Sequence, residues 1–439
     1  MKRSLSRVAL AAACVLFFCA STAQAQSSPA LSGLDALYPE MQKLYVDLHQ
    51  SPELSLHEEK TAAKLAERLR ALGFEVTTGV GKTGLVGVLR NGKGPTVMLR
   101  TDLDGLPVEE KTGLPYASKV TTTDDSGATV SVMHACGHDV HMTSWIGAAT
   151  LLSRSKDRWR GTLLMVGQPA EEKGGGARLM LADGLYTRFP KPDFALAIHD
   201  DASMPAGKVG WVSGYALANV DSVDVTIFGK GGHGAYPHTT VDPIVIAART
   251  VVALQTIVGR ENNPLDPAVV TVGSIHGGTK HNIIPDEVKL QLTVRSYKED
   301  VRKRLLAAIE RIAKAEAAAA GSPKAPEVKV SEGTPATFNE PAVTKRVADA
   351  VERTLGAARV EEHPPVMGGE DFSEYGRAGV PATMLWVGAV SQKKYDAAKA
   401  AGTTLPSLHS SEFAPDPEPT LKTGISTLTL GALELLGKP

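Results

Sequence analysis

Gly161-Thr-Leu-Leu-Met-Val-Gly-Gln-Pro-Ala-Glu-Glu172 is a short apolar run that breaks at a turn and ends in two adjacent carboxylates. A run of this length and composition reads as a strand buried on both faces. Three other segments repeat the arrangement. Thr96-Val-Met-Leu leads into Arg100-Thr-Asp102-Leu-Asp104, and Phe194-Ala-Leu-Ala-Ile leads into His199-Asp200. Ala382-Thr-Met-Leu-Trp-Val leads, through a long loop, to Leu408-His409-Ser410. Helical stretches alternate with them, including an amphipathic one from His57 to Leu72 closed by Gly73. The pattern predicts an α/β domain with a mixed, mainly parallel sheet covered on both faces. In such sheets ligands bind at the carboxyl ends of the strands. Four separate segments deliver Asp, Glu and His to that edge.

The middle of the chain differs. Val220-Asp-Ser-Val-Asp-Val-Thr-Ile-Phe and Val288-Lys-Leu-Gln-Leu-Thr-Val alternate polar and apolar residues, as half-exposed antiparallel strands do. With helices near 242–258 and 298–319 and a strand from Ala268 to Val272, they predict an inserted α+β unit over 213–333. The α/β domain then comprises 26–212 and 334–439. Residues 1–25 read as a cleavable signal peptide: Lys2, Arg3 and Arg7, a short apolar run from Val8 to Ala20, and Ala23-Gln-Ala25. That predicts export to the periplasm or beyond, and no membrane span in the mature protein. Cys14 and Cys19 leave with the signal, so Cys136 remains as an unpaired thiol in a compartment that permits disulfides.

Composition sets outer bounds. The 439 residues carry 47 Lys+Arg against 48 Asp+Glu, with 43% hydrophobic and 22% charged residues, an ordinary globular balance. A near-neutral charge provides no basic footprint for nucleic acid. Met133-His-Ala-Cys-Gly-His-Asp-Val-His141 gathers three His and Cys136 into one short segment. Soft and borderline donors beside hard carboxylates are what a Zn-type site requires.

These motifs, with Gly229-Lys-Gly-Gly-His233, Pro237-His238, Asn282-Ile-Ile-Pro-Asp and Leu408-His-Ser, resemble one family in order along the mature chain. It is the dinuclear-metal aminoacylase and carboxypeptidase family, in its hippurate hydrolase and auxin-conjugate amidohydrolase branch. The resemblance implies a catalytic domain with an inserted lid and dimerisation domain, two divalent ions per subunit, and a homodimer. It places metal ligands at Cys136, His138, Glu172, His199 and His409, the general base at Glu171, and at His233 the lid histidine that reaches a partner's site. Asn282, Arg295 and Gly369, the last within Gly368-Gly-Glu-Asp-Phe372, match substrate-contacting positions. Asp102 matches an acid that stands behind the ligands. Relatives carry a ligand His before that acid; here Arg100 replaces it, leaving His138 to supply the imidazole.

The chemistry agrees with those roles. Amide hydrolysis needs an activated water, a polarised carbonyl and a proton for the leaving amine. A carboxylate beside the ions can carry that proton, which suits Glu171 if Glu172 faces the metal. A thiolate ligand accounts for the unpaired Cys136. His134 and His141 read as residues behind the ligands, and His49, His57, His276, His281 and His363 as structural or surface residues. His233, in a Gly-rich turn, is placed to stabilise an oxyanion. Arg295 can fork a substrate carboxylate. The expected substrate is an N-acyl amino acid or short peptide, and Zn²⁺ suits the donors best, with Mn²⁺, Co²⁺ and Ni²⁺ as alternatives. A dipeptidase or carboxypeptidase, or an N-acetyl amino acid deacetylase, would use the same machinery. A periplasmic protein that binds metal or peptide without turnover is the rival outside catalysis, and Glu171 argues against it.

Overall fold

The computed structural model describes residues 28–438, so the signal-peptide reading of 1–25 lies outside the described residues. An eight-stranded sheet runs in the order Glu75–Val80, Gly84–Asn91, Gly161–Gln168, Thr96–Asp102, Phe194–Pro205, Ala382–Val390, Val209–Trp211, Val360–Glu362. The four strands at its centre are mutually parallel, and the neighbour on each side, Gly84–Asn91 and Val209–Trp211, runs antiparallel to them. Their apolar runs are continuous because successive side chains feed two different cores. Val97, Leu99, Leu163, Met165, Leu196 and Ile198 enter one cluster, beneath the helices Leu34–His49, His138–Arg154 and Pro417–Leu435. Met98, Leu164, Val166, Ala195 and Ala197 enter the other.

Topology brings the chemistry together. From Thr96–Asp102 the chain passes through the helix His138–Arg154 to a neighbouring strand on one side, then crosses to Phe194–Pro205 on the other. That reversal of direction makes a switch point, the place where an open sheet presents a crevice at its carboxyl edge.

A four-stranded antiparallel sheet, in the order Ala268–His276, Glu287–Ser296, Asn219–Phe228, Glu327–Glu332, forms the inserted α+β unit. Val223, Val225, Ile227, Val288, Leu290 and Leu292 point to one face, where the helices Pro243–Thr256 and Glu299–Ala319 cover them. The alternating pattern therefore marks a sheet with one packed face. The stretch Pro243–Glu261 is long and apolar enough to cross a membrane, but it is the packed helix of this unit, with Val245 and Val252 on its exposed side.

Two features depart from the sequence reading. The connection before His409, expected as a long loop, holds the helix Gln392–Ala401. None of its residues is buried, so no apolar stripe announced it. The Glu370–Asp371 pair, in the segment expected to face substrate, turns inward onto Arg100.

Candidate metal centre and catalytic site

The site is assembled from the ends of the strands Thr96–Asp102 and Gly161–Gln168, from His199 within Phe194–Pro205, and from one helix start and one loop. His138 opens the helix His138–Arg154, and Gly137 before it sits at φ +74. A Cβ there would fall 2.1 Å from an Asp200 carboxylate oxygen, so the approach demands glycine. His409 also stands in the left-handed region, at φ +67, and its backbone N–H donates to the Ala135 carbonyl at 2.8 Å. This ties the His409 loop to the Cys136 loop.

The donors face one another with free lone pairs. His199 Nδ1–H donates to the Asp200 carbonyl at 2.8 Å, and His138 Nδ1–H donates to the Asp104 carbonyl at 2.8 Å. Each bond leaves Nε2 as an acceptor aimed into the site, the arrangement that orients an imidazole ligand. His199 Nε2 lies 3.6 Å and His409 Nε2 3.3 Å from Cys136 Sγ. Glu172 spans the other side, 3.8 Å from His138 Nε2 and 3.6 Å from His409 Nε2. Ligands about 2.0–2.3 Å from a tetrahedral ion sit roughly 3.3–3.8 Å from one another. The residues therefore fit a divalent ion, in two groups that share the thiol: Cys136, His138 and His199, and Cys136, Glu172 and His409.

Two further observations agree with that fit. His138 Nε2 and Glu172 Oε1 are buried without a hydrogen-bond partner among the described residues. Burial, with Glu172 beside it, pushes the Cys136 thiol well above its ordinary value, so an ionised Cys136 needs a cation nearby. Burial also pushes Glu172 up to about 7, against the pull of His138.

Glu171 is buried beside this group, its Oε2 3.9 Å from His138 Nε2. Burial, then Glu370 and Glu172, hold its carboxyl well above the ordinary range. Asp102 accepts from His141 Nδ1 at 2.8 Å and from Arg100 at 2.9 Å. His141 Nε2 lies 3.1 Å from Asp200 Oδ1, so both its ring nitrogens are engaged. His134 is buried with neither nitrogen partnered among the described residues.

The lid residues lie apart from the cluster. His233 is exposed and pairs with Ile283 in a two-residue strand beside Asn282. Its Nδ1 accepts the Ala235 N–H at 3.0 Å, leaving Nε2–H as an outward donor. Arg295 is half-buried, bonds Thr293 Oγ1 at 3.0 Å and makes no ion pair among the described residues. Its guanidinium lies beside Gly369, where a Cβ would come within 3.6 Å of Nη1.

Several residues that organise the site had no role assigned from sequence. Asp104 accepts the backbone N–H groups of Glu171 at 3.2 Å and Glu172 at 3.1 Å, and the Ser55 hydroxyl at 2.6 Å. The Asp-x-Asp spacing at the end of its strand was the available signal. Arg100 is buried against Asp102, Glu370 at 2.8 Å and Asp371 at 3.1 Å, with Gln168 on its Nε. Asp102 is two residues away, but Glu370 and Asp371 lie some 270 residues further along the chain, with nothing local to mark them.

Donors gathered at the carboxyl edge of a mainly parallel sheet, with a carboxylate beside them, are the build of a metal-dependent hydrolase. The family described as "Peptidase family M20/M25/M40" matches residues 98–407, and the chain belongs to it. It is 39% identical over 397 residues to thermostable carboxypeptidase 1 of Saccharolobus solfataricus, covering 89% of this chain and 94% of that protein. It is 37% identical over 343 residues to the hippurate hydrolase of Campylobacter jejuni, covering 76% and 85% respectively. The crystal structure of a dinuclear metal binding peptidase of the M20 family from Bacillus subtilis superposes with a TM-score of 0.74 at 28% identity, covering 92% of this chain and all of that one. The protein is a metal-dependent hydrolase that acts on amide bonds.

Proposed function

We propose that the chain is an exported amidohydrolase that cleaves the amide of N-acyl amino acids with two divalent ions per subunit. The observation that carries this reading is Glu171, a buried carboxylate beside the Cys136–His138–Glu172–His199–His409 donors with its Oε2 3.9 Å from His138 Nε2. Bound ions supply Lewis acidity to the scissile carbonyl and the attacking water. Glu171 takes the water's proton and delivers it to the amide nitrogen. Arg295, which has no carboxylate partner among the described residues, receives the substrate's free carboxylate.

The lid supports a homodimer. Val252 is 72% exposed and Val245 55% exposed on the helix Pro243–Thr256, beside the edge strand Ala268–His276 with its exposed Ile275. An apolar helix face next to an open strand edge favours a second copy. In that assembly the outward Nε2–H of His233 serves the site of the other subunit. Cys, His and Glu donors favour Zn²⁺, with Mn²⁺, Co²⁺ and Ni²⁺ as alternatives. A carboxypeptidase acting on short peptides is the second reading, favoured by the near full-length match to the Saccharolobus solfataricus carboxypeptidase.

The test is hydrolysis of a panel of N-acyl amino acids and dipeptides by the mature chain, with and without chelator, beside elemental metal analysis. Chelator-sensitive release of free amino acid at two ions per chain is expected. Preferential cleavage of dipeptides selects the carboxypeptidase reading. Bound metal with no turnover on either set overturns both.

A further inference from the structure

The chain enters the inserted unit through the strand Gly214–Leu217 and leaves it through Thr337–Asn339, and these two pair antiparallel with Phe338 opposite Tyr215. Beside this hinge lies a cleft of about 600 Å³ that belongs to neither domain alone. Tyr297 lines it from the inserted unit, Arg377 from the α/β domain, and Tyr215 and Phe338 from the hinge. The three rings make an aromatic corner. Tyr215 stacks on Tyr297 at 5.8 Å with 27° between the planes, and Phe338 meets Tyr215 at 5.1 Å and 79°. Phe338 stays 47% exposed.

The free charge of the cleft is negative. Arg302 is occupied by Asp221 at 2.7 Å and Glu299 at 3.2 Å, and Arg377 by Glu332 at 2.7 Å and Glu374 at 3.0 Å. Glu340, also in the lining, accepts the Val343 N–H at 2.7 Å with one oxygen and makes no ion pair among the described residues. Thr334, in the returning connection, links the cleft to the catalytic side. A Cβ on Gly174, in the turn after Glu172, would come 3.2 Å from its Cγ2, and one on Gly369 3.0 Å from its Oγ1.

We propose that this hinge cleft is an effector site for an organic ammonium ion, held by the rings of Tyr215, Tyr297 and Phe338 and the carboxylate of Glu340, whose binding slows hydrolysis by fixing the lid. The site does not depend on which amide is cleaved. Ring faces attract a cation through their quadrupole, and alkylated ammonium groups suit them because they shed water easily. Glu340 adds a charge that a neutral or anionic ligand cannot use. The volume falls within the range of about 300–1,000 Å³ that takes small organic ligands. Because both domains line the cleft, its shape depends on the angle between them. A ligand that fits it as it stands favours the present angle, in which His233 and Arg295 lie apart from the metal donors. Substrate needs Arg295 brought to the reacting amide, so effector and substrate oppose each other's binding.

The probe is benzyltrimethylammonium, which has no lone pair with which to ligate a metal. Calorimetric titration of the metal-loaded enzyme should show one probe bound per chain, and neutral benzyl alcohol should bind at least about fivefold more weakly. Phe338→Leu and Glu340→Gln, the second keeping an oxygen for the Val343 N–H, should each weaken the probe at least about fivefold. Saturating probe should lower kcat/KM of the wild type for its best-cleaved amide at least about fivefold, a coupling of ordinary size, and both variants should need correspondingly more probe. Absent binding, equal binding of benzyl alcohol, or binding that neither substitution weakens overturns the site. Binding with unchanged kcat/KM overturns its role as an effector site. The titration needs no turnover, so a chain that cleaves none of the N-acyl substrates still tests the cleft.

Discussion

The carboxylate of Glu58 accepts the backbone N–H of Ala170 at 2.8 Å, and Ala170 stands in the left-handed region at φ +51. For a residue other than glycine that conformation costs on the order of 1–3 kcal/mol. Glu58 is itself buried and takes the Thr83 hydroxyl as a second donor, so the turn is held from outside its own segment. The bend lets Asp104 gather both following N–H groups. Glu172 then lies against His138 and His409, whereas Glu171 lies against His138 alone. Adjacent carboxylates thereby come to stand in different surroundings.

Glu171→Gln should lower kcat by about 10²–10⁴-fold, the usual worth of a positioned proton carrier. Metal content per chain should stay the same, as read by elemental analysis. Turnover that survives the change removes Glu171 as the base.

Cys136→Ser replaces a polarisable thiolate that faces both His199 and His409 with a neutral hydroxyl. Affinity for Zn²⁺ should drop at least about tenfold in competition with a chromogenic chelator. Undiminished affinity would take Cys136 out of the ligand set.

Arg100→Met leaves Asp102, Glu370 and Asp371 buried without their cation. Loss of one partner from a buried ion pair costs about 3–5 kcal/mol. Urea unfolding of the metal-free protein should show a loss of that size. Adding Glu370→Gln should recover part of it.

His49 predicts a pH-dependent component of stability. Burial alone would lower its pKa, but hydrogen bonds to Asp139 at 2.6 Å and Glu110 at 3.1 Å outweigh this and raise it from 6.5 to about 10. The folded state therefore binds the proton more tightly than the unfolded state. Its contribution is complete below pH 6.5 and is lost as pH rises towards about 10. The stability difference between wild type and His49→Gln, from denaturant melts, should shrink across that interval. A difference independent of pH would show that the imidazole is not charged in the folded protein.

His233→Ala and Glu171→Gln chains, each inactive alone, should regain turnover when mixed and allowed to exchange subunits. In the mixed dimer one site combines an intact Glu171 with an intact His233 from the other subunit. Mixtures as inactive as their parents would refute a site shared across subunits.

The sequence by itself determined the sheet and the composition of its edge. Val97, Leu99, Met98 and their counterparts form unbroken apolar runs because both faces of the strand are covered, and this signal is local. The alternation in Val223, Val225 and Ile227 marked the one-faced sheet of the lid for the same reason. Motif order was enough to nominate Cys136, His138, Glu172, His199 and His409. Tertiary structure alone decided how those residues are held. The Nε2 lone pairs of His138 and His199 are free because each Nδ1 donates to the main-chain carbonyl of an acidic residue, Asp104 just past one strand and Asp200 within another. Arg100 is neutralised by Glu370 and Asp371 from far along the chain, and His49 is charged by Asp139 and Glu110. The helix Gln392–Ala401 left no trace because it buries nothing, so its sequence carries no apolar period. Strand and helix follow from the periodicity of neighbouring residues. Charge states, tautomers and the separation of Glu171 from Glu172 depend on which distant groups the fold brings within a few ångströms.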